Sequence, residues 1–451
     1  MSTNEIEALT REMEADLARS RACNGAAAEL GENEEPDIAF WNQRPILKHI
    51  HAFARYRMVS PYATLGCVLR RAISCVEPNV MLPPTVGGAV SVNLYTTTLG
   101  VSGAGKGGSE AAGRDAVLFP DNVNGGYRDG VARNPGTGEG LARLFKGRGD
   151  EEGTTRAMIT APEVSTLASI FDRQGSSLAG QLLQAYMGEA LGFDNAHKNT
   201  TSAVEEHAYR LCLGVGTQVE NAGFFLQREK DGFPQRFLWL SALDPYAPPP
   251  VEDEEEEEPP VEPLTVNIPD FGTAVRHVSI PRVARTAIRM HRHLVRIGSP
   301  DVDPLDGHLM LTRLKVAFGL AVLDERKDIS DDDWRVAGQL IVVSTRVRAE
   351  VRAAVEERRR RTNRARAHDQ AEREEIVAER LLEGKQQRVA KSVLRKLSKG
   401  GHVTRRELRH TLDSSVRSEL DPVLEIQLEQ RQVMLSPGES RDGDAFGLAG
   451  V

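Results

Sequence analysis

Hydrophobic positions recur along this chain with two different periods, and the change between them predicts an α/β core. From residue 40 to residue 75, apolar side chains recur at helical spacing, which predicts two helices that end before Pro78. Residues 86–245 instead contain short β-branched and aromatic runs with helical stretches between them. These candidate strands cover residues 88–99, 156–161, 208–216 and 236–240. Strands that alternate with helices favour a parallel sheet, so we predict an α/β fold.

The second half of the chain has a helical pattern throughout. Residues 279–350 predict several helices, and the run from Leu309 to Leu323 is apolar nearly all round, which indicates a buried helix. Ser330 precedes three aspartates, which is the pattern of an N-cap followed by an acidic first turn. Residues 345–384 are charged with little apolar stripe, and a solvated charged face is the plain interpretation of such a run.

The stretch after residue 386 follows the pattern of a winged helix. Three helical segments, at residues 389–397, 404–412 and 421–432, precede a turn at Pro437-Gly438. Thr404 lies three residues before Glu407, which predicts a capping box at the start of the second segment. Winged helices serve as DNA-binding modules and also as protein-docking modules or lids, and the pattern leaves both roles open.

Shifts in composition divide the chain into seven segments. Prolines and an acidic run at residues 252–258 indicate a solvated, extended linker between two of them. In chain order, the segments are an acidic disordered tail (1–37), N-terminal helices with the α/β core (38–245), an acidic proline-rich linker (246–264), a helical region (265–350), a long basic charged helix (351–385), a winged-helix-like domain (386–440) and a disordered tail (441–451).

The charge of the chain is unevenly placed. Its 451 residues carry a formal net charge of −8, but residues 1–35 and 252–258 are acidic whereas residues from about 343 to 410 are basic. This asymmetry predicts a local anionic partner. Four scattered cysteines have no metal or disulfide spacing, and no segment has the pattern of a signal peptide or a membrane span. We therefore expect a cytoplasmic protein without a membrane partner.

The strongest chemical signal is a glycine-rich sequence from Gly100 to Gly107, which has the form G-x-x-x-x-G-K. A β-branched run precedes it and a helical stretch follows, which is the context that a phosphate-binding P-loop requires. Its amides would surround phosphate oxygens while Lys106 reaches the β- and γ-phosphates of ATP. The predicted nucleotide-binding residues are Gly100, Ser102, Gly103, Ala104, Gly105, Lys106, Gly107, Gly108 and Ser109. The alternative is a glycine-rich turn with a solvated lysine.

One position departs from the usual P-loop. The serine or threonine that ligates Mg²⁺ directly after the lysine is replaced by Gly107. The nearest hydroxyl belongs to Ser109, two residues further on, and therefore lies on another face of the helix. The signal is consequently stronger for nucleotide binding than for standard metal-dependent hydrolysis.

Three further residues are candidates for catalysis at this site. Glu163 follows the strand at 156–161 and would bind Mg²⁺ or polarise water, although a glutamate is also favoured at a helix N-terminus. Gln218 follows another strand and would sense the γ-phosphate, with a plain turn residue as the alternative. Arg236 precedes a strand and would act on a phosphate across a subunit interface, or else form a buried ion pair.

Nucleic acid is the anionic partner that the C-terminal basic region favours. Basic side chains there would contact phosphates, which gives affinity without sequence readout. The candidates are Lys391, Arg395, Lys396, Arg405, Arg406, Arg409 and Arg417. His291 and His293 lie two residues apart on different helix faces, so we predict no zinc site there.

Several short motifs give residues 38–350 a family resemblance. They are Phe40-Trp41-Asn42-Gln43-Arg44-Pro45-Ile46-Leu47, Ala54-Arg55, Ser60-Pro61, Leu65-Gly66, Pro83-Pro84, Asn93-Leu94, the Gly-Lys-Gly of the P-loop, Thr217-Gln218 and Gln235-Arg236-Phe237-Leu238. In these motifs the chain resembles RecA-like ATPases of actinobacterial phages and mobile elements, which are found in replication modules and described as primase-helicase or replicative-helicase-like proteins. The resemblance implies a RecA-like core that uses ATP and Mg²⁺. Since only a short tail precedes residue 38, we expect no primase module in this chain.

Three functional hypotheses follow from the sequence. The first is an ATP-dependent DNA motor, a replicative helicase of a phage or mobile element, that works on single-stranded or forked DNA. It would form a homo-oligomer, with a hexamer as one candidate, and would cooperate with replication proteins such as a separate primase. The second is a nucleotide-switched replication initiator or helicase-loading adaptor with little turnover, which the missing Mg²⁺ hydroxyl favours. The third is a degenerate P-loop scaffold that binds no nucleotide.

Overall fold

The computed structural model of the protein describes residues 37–121, 123–148, 151–193, 202–249, 261–436 and 444–449. Most of the predicted acidic tail, the acidic run at 252–258 and the turn at Pro437-Gly438 lie outside these residues. The chain forms two compact units, the first ending at Glu356 and the second beginning at Glu357. No helix in the described ranges is both long enough and apolar enough to cross a bilayer.

The helices and strands are numbered in chain order. The helices are α1 (Ile38–Trp41), α2 (Pro45–Tyr56), α3 (Pro61–Ser74), α4 (Lys106–Ala116), α5 (Gly138–Lys146), α6 (Val164–Phe171), α7 (Leu178–Met187), α8 (Gly223–Gln227), α9 (Arg282–Arg296), α10 (Leu309–Leu323), α11 (Asp331–Leu397), α12 (Arg405–His410) and α13 (Leu420–Glu429). Short 3₁₀ helices cover Val219–Asn221, Glu229–Asp231, Pro234–Arg236, Pro304–Asp306 and Ser414–Glu419. The strands are β1 (Val80–Leu82), β2 (Val90–Ser91), β3 (Tyr95–Leu99), β4 (Val117–Leu118), β5 (Val131–Arg133), β6 (Gly147–Arg148), β7 (Glu151–Glu152), β8 (Arg156–Ala161), β9 (Arg210–Thr217), β10 (Phe237–Ser241), β11 (Leu264–Thr265), β12 (Arg276–His277), β13 (Val403–Thr404), β14 (Val433–Ser436) and β15 (Ala445–Leu448).

The first unit is built around a five-stranded sheet in which every pair of neighbours is parallel. The strand order is β10–β3–β9–β8–β5, which confirms the predicted α/β fold with a parallel sheet. Leu99 at the end of β3 lies opposite both Thr217 of β9 and Ser241 of β10. The carboxyl ends of these strands therefore meet at one edge of the sheet, which is where ligands bind in open α/β sheets.

Alternating residues of the central strands enter two separate hydrophobic cores. In β10, Leu238 and Leu240 face a core that includes α3, α4 and α10, whereas Phe237 and Trp239 face a second core that includes α5, α6 and α7. This period of two is the strand pattern, and both faces are apolar because helices cover both of them. The predicted helical region at 265–350 thus packs in the same unit as the sheet, and α10 is buried as expected.

A buried ion pair joins the helix after the P-loop to α3. Arg70 on α3 is fully buried and its guanidinium donates to the carboxylate of Glu110 on α4. Gly214 of β9 leaves room for it, since a Cβ atom there would lie 2.2 Å from the Arg70 Nη1 atom. Deleting one partner of such a pair leaves an uncompensated charge in the core.

We expect Glu110→Ala to lower the free energy of unfolding by about 3–5 kcal/mol because Arg70 would stay buried without its carboxylate. Urea unfolding followed by tryptophan fluorescence measures this, since the three tryptophans, at 41, 239 and 334, all lie in the first unit. The control is Glu139→Ala on α5, which removes an exposed i,i+4 pair with Arg143 and should cost less than about 1 kcal/mol. Equal losses in the two variants would contradict the assignment.

A second buried cation lies beneath the sheet on α10. The Nζ atom of Lys315 donates to the carbonyl oxygens of Asn93 (2.9 Å) and Tyr186 (2.5 Å) and lies 3.2 Å from the centroid of the Tyr186 ring. Burial, followed by repulsion from Arg236, holds the pKa of Lys315 well below its usual range. Burial, with Arg236 and Lys315 nearby, also lowers the pKa of His308 to about 3.

This environment predicts that the first unit loses stability on acidification. Between pH 6.5 and 3 the unfolded chain binds a proton at His308 that the folded chain does not, so the free energy of unfolding should fall as pH drops through that window. Urea midpoints measured across the window should show a shallower slope for His308→Gln than for the wild type. His293→Gln, on the exposed face of α9, is the control. Parallel curves for the wild type and His308→Gln would refute the assignment.

The second unit contains the remainder of α11 with α12, α13 and a small antiparallel sheet of order β13–β15–β14. The capping box at Thr404 is confirmed, because its side chain accepts from the backbone of Glu407 while the Glu407 carboxylate accepts from Thr404. The elements follow the order helix, strand, helix, helix, strand, strand. The winged-helix interpretation stays a prediction. Residues 356–383 of α11 are all exposed, as a solvated charged face would be.

Candidate nucleotide-binding site

The glycine-rich loop lies between the end of β3 and the start of α4, at the carboxyl edge of the sheet. Gly103 and Gly105 have φ angles of +82° and +79°, a left-handed conformation that glycine adopts without strain. A Cβ atom at Gly100 would lie within 2.9 Å of the Cβ atoms of both Ala104 and Ala242, so this position also favours glycine. The loop leads directly into the N-terminus of an eleven-residue helix, whose free amides and dipole attract anions.

Lys106 is the first residue of α4, and its side chain folds back over the loop. The Nζ atom donates to the carbonyl oxygens of Gly100 and Val101, at 3.2 Å each, and lies 3.6 Å from Oε1 of Glu163. The side chain is 9% exposed, so this ammonium group is partly desolvated. A charge in that position interacts strongly with phosphate, as the predicted role of Lys106 requires.

Glu163 and Gln218 lie together beside Lys106. Glu163 follows β8, Gln218 follows β9, and the amide of Gln218 donates to Oε1 of Glu163 at 3.4 Å. Close packing of the two strand ends depends on Gly216, where a Cβ atom would lie 2.0 Å from the carbonyl oxygen of Pro162. The second carboxylate oxygen of Glu163 is buried and has no hydrogen-bond partner among the described residues. An unsatisfied carboxylate oxygen at this edge fits a site for a cation or for a polarised water.

The hydroxyl of Ser109 does not replace the missing Mg²⁺ ligand. It donates to the carbonyl oxygen of Gly105 at 3.2 Å, within the first turn of α4, and Ser109 is 1% exposed. The hydroxyl of Thr217, at the end of β9, is likewise paired with that of Thr97 at 2.9 Å. A bound Mg²⁺ would therefore rest on Glu163 and on phosphate oxygens rather than on a hydroxyl of α4.

Arg236 lies at the opposite edge of the sheet from Lys106. It directly precedes β10, whose first residue, Phe237, pairs with Tyr95 at the start of β3. Its guanidinium donates to the carbonyl oxygen of Gly232, and burial lowers its pKa. Arg236 is thus outside the phosphate site of its own chain, and its predicted action on the site of a neighbouring chain stays a prediction.

The C-terminal candidates for phosphate contact fall into two groups. Arg405 is engaged within the second unit, since it pairs with Asp421 and Asp444 and lies 5.3 Å from the centroid of the Phe446 ring. Arg417 donates its Nε–H to the carbonyl oxygen of Leu412 while remaining exposed. The others are exposed, apart from the half-exposed Lys396: Lys391, Arg395, Arg406 and Arg409.

Sequence reasoning missed one feature that bears on binding. Helix α9 presents five exposed arginines. From this segment only His291 and His293 were considered, as possible zinc ligands. The signal was available, because a fifteen-residue helix with five arginines and no acidic residue departs from the mixed charges of an ordinary solvated face. The five arginines were less conspicuous than the larger basic region between residues 343 and 410.

Comparison with known proteins adds little to this geometry. No family model matches the chain, and no curated protein matches it, so the resemblance to phage ATPases stays a prediction. Among solved structures, the chain is similar to a full-length MCM homologue from Methanopyrus kandleri, with 12% identity and a TM-score of 0.35. The similarity covers 70% of this chain and 63% of the MCM homologue, less than two thirds of its length. A likeness at this TM-score does not bear on what the chain does.

Proposed function

We propose that this protein is a P-loop ATPase that couples nucleotide hydrolysis to movement on DNA. The observation that supports it most is the convergence of Lys106, Glu163 and Gln218 at the carboxyl edge of the sheet, from three different elements. The sheet order places β9 between the P-loop strand and the strand that leads to Glu163. Gln218 therefore lies between the phosphate loop and the carboxylate, where it can respond to both.

Each residue has a separate task in this proposal. The loop amides and Lys106 bind the β- and γ-phosphates, and binding turns the ammonium group from the carbonyl oxygens of Gly100 and Val101 towards phosphate oxygens. Glu163 accepts a hydrogen bond from the attacking water or holds the metal ion, and Gln218 orients that carboxylate. Mg²⁺, when bound with ATP, supplies charge neutralisation on the phosphates. In a ring, Arg236 would complete the site of a neighbouring chain only after its partly buried guanidinium leaves the carbonyl oxygen of Gly232.

The proposed motor is a replicative helicase of a phage or mobile element. It acts in the cytoplasm on single-stranded or forked DNA, with priming supplied by a separate protein. The exposed basic residues of the second unit contribute contacts to DNA phosphates. Arg405 is not one of them, because it is already paired with acidic residues of its own unit. These contacts fix the position of the backbone and carry no sequence information.

A nucleotide-switched adaptor is the second candidate, and the placement of Ser109 favours it. With that hydroxyl turned into the helix, α4 offers no free hydroxyl to a metal ion after Lys106, which suits binding without rapid turnover. Solution mass measured with and without ATP separates the two. A nucleotide-dependent ring supports the motor, because its active sites need a neighbouring chain, whereas a monomer or dimer in both conditions supports the adaptor.

A further inference from the structure

One face of α9 carries a continuous stripe of arginines, which we call the arginine stripe. Successive members are three, four, three and four residues apart, so at 3.6 residues per turn they fall within an arc of about 80° over a length of about 21 Å. All five are exposed. The members are Arg282, Arg285, Arg289, Arg292 and Arg296.

Nothing in the described chain neutralises this stripe. None of its five guanidinium groups forms an ion pair or a side-chain hydrogen bond with a described residue, and the helix itself contains no acidic residue. Two acidic residues that follow α9 are engaged by other arginines, with Asp303 paired to Arg352 and Asp306 paired to Arg348. A third, Asp301, accepts a hydrogen bond from Ser299. Among the residues that the structure describes, the stripe therefore presents positive charge without an acidic partner.

The arginine stripe also lowers the stability of helix α9 itself. Like charges three and four residues apart destabilise a helix, and cations in the first turn oppose the helix dipole, yet Arg282 and Arg285 lie at the N-terminal end of α9. A merely solvated face would mix acidic and basic residues. The consistent use of arginine rather than lysine suits bidentate contact with phosphate groups.

The opposite face of α9 excludes a membrane as the partner. Ala284 and Ile288 are buried in the core of the first unit, with Val283 and Ala287 packed partly against it. A basic amphipathic helix binds a bilayer by inserting its apolar face, and here that face is already covered. An extended polyanion that lies along the surface is the partner that the charge and the shape fit.

We propose that the arginine stripe is a binding surface for the phosphodiester backbone of nucleic acid, in addition to the basic residues of the second unit. The proposed DNA motor enters this inference only in the choice of DNA as the polyanion. Each arginine that contacts a phosphate releases counterions, so binding through the stripe depends on salt in proportion to the number of arginines engaged.

The test compares Arg285→Gln/Arg289→Gln/Arg292→Gln with a control of equal charge change, Lys48→Gln/Arg173→Gln/Lys230→Gln, at exposed positions on other parts of the first unit. Binding of a fluorescent oligothymidylate, and of a duplex with the same number of phosphates, is titrated across salt concentrations. The stripe variant should lower the magnitude of the log–log salt slope by about 2 for the single strand, since each contact contributes about 0.7. Affinity should fall about 100-fold at 0.1 M salt. Comparing the loss of affinity for the oligothymidylate with that for the duplex shows which form of DNA the stripe binds.

Each other outcome overturns the inference. An unchanged slope in the stripe variant, an equal loss in the control, or no binding by the wild type would do so. Competition by poly-glutamate at equal charge, as effective as by unlabelled oligonucleotide, would reassign the stripe to an acidic protein segment. Arg285→Lys/Arg289→Lys/Arg292→Lys should keep most of the slope, and circular dichroism checks that all variants fold. ATP turnover without DNA is measured on the same proteins and tests the proposed ATPase separately. A failure of DNA binding through the stripe can therefore be told apart from a failure of the proposed ATPase.

Discussion

Replacing Glu163 by glutamine is expected to lower ATP turnover by about 10²- to 10⁴-fold while leaving ATP binding intact. The amide keeps the shape of the side chain but can neither take up a proton from the attacking water nor supply negative charge to a metal ion. Nucleotide binding should persist because the loop glycines and Lys106 are unchanged. The dissociation constant should even fall slightly, since Lys106 loses the carboxylate that lies 3.6 Å from its Nζ atom.

Two measurements on the same protein check this expectation. Steady-state phosphate release gives the turnover, and the fluorescence of a labelled ATP analogue gives the dissociation constant. Glu205→Gln, an exposed carboxylate outside the site, is the control and should match the wild type in both. Full turnover in Glu163→Gln would show that this carboxylate is only a helix N-terminal residue. Loss of binding together with turnover would show that Glu163 supports the fold of the loop rather than the chemistry.

Lys106→Ala should weaken ATP binding by about 10- to 100-fold and lower turnover by at least about 100-fold. The ammonium group contacts the loop through the carbonyl oxygens of Gly100 and Val101, and the side chain is 9% exposed, so water replaces its charge poorly. The same truncation also removes its two hydrogen bonds to Gly100 and Val101, so the loop itself should become more mobile.

A matched substitution separates the charge at the site from the net charge of the chain. Lys48→Ala, on the exposed surface of α2, removes one positive charge far along the sequence and should retain wild-type binding and turnover. Urea unfolding of both variants shows whether the loop substitution affects the fold. If Lys106→Ala binds ATP as tightly as Lys48→Ala does, the glycine-rich loop is only a turn with a partly buried lysine.

Much of the first unit follows from local sequence. Helices α6 and α7 lie between candidate strands, as the alternating pattern predicts, and the buried helix α10 and the N-cap at Ser330 also lie where they were predicted. Strand β5 was not predicted, because its three residues form a largely exposed edge with no apolar run. The separate helices predicted between residues 330 and 397 are one helix, α11, since no proline or glycine cap interrupts the pattern strongly enough to end it.

The sequence predicted the individual residues of the site but not that they lie together. The P-loop, Glu163 and Gln218 each follow a recognisable strand, and only the strand order of the sheet shows that they meet. That order depends on long-range pairing, which no local pattern encodes. For the same reason the sequence could not predict the position of Arg236, which depends on its contacts with Tyr186 and Gly232. The same holds for Arg70, a charge in the middle of an apolar helix whose partner, Glu110, is 40 residues away.

The proposed motor is tested most directly by the rate of ATP hydrolysis with and without single-stranded DNA, measured beside Lys106→Ala and Glu163→Gln. We expect DNA to raise the turnover of the wild type, and neither variant to show this rise. A chain that binds ATP but shows the same slow turnover with and without DNA would contradict the motor and support the adaptor. A chain that does not bind ATP would contradict the nucleotide site itself.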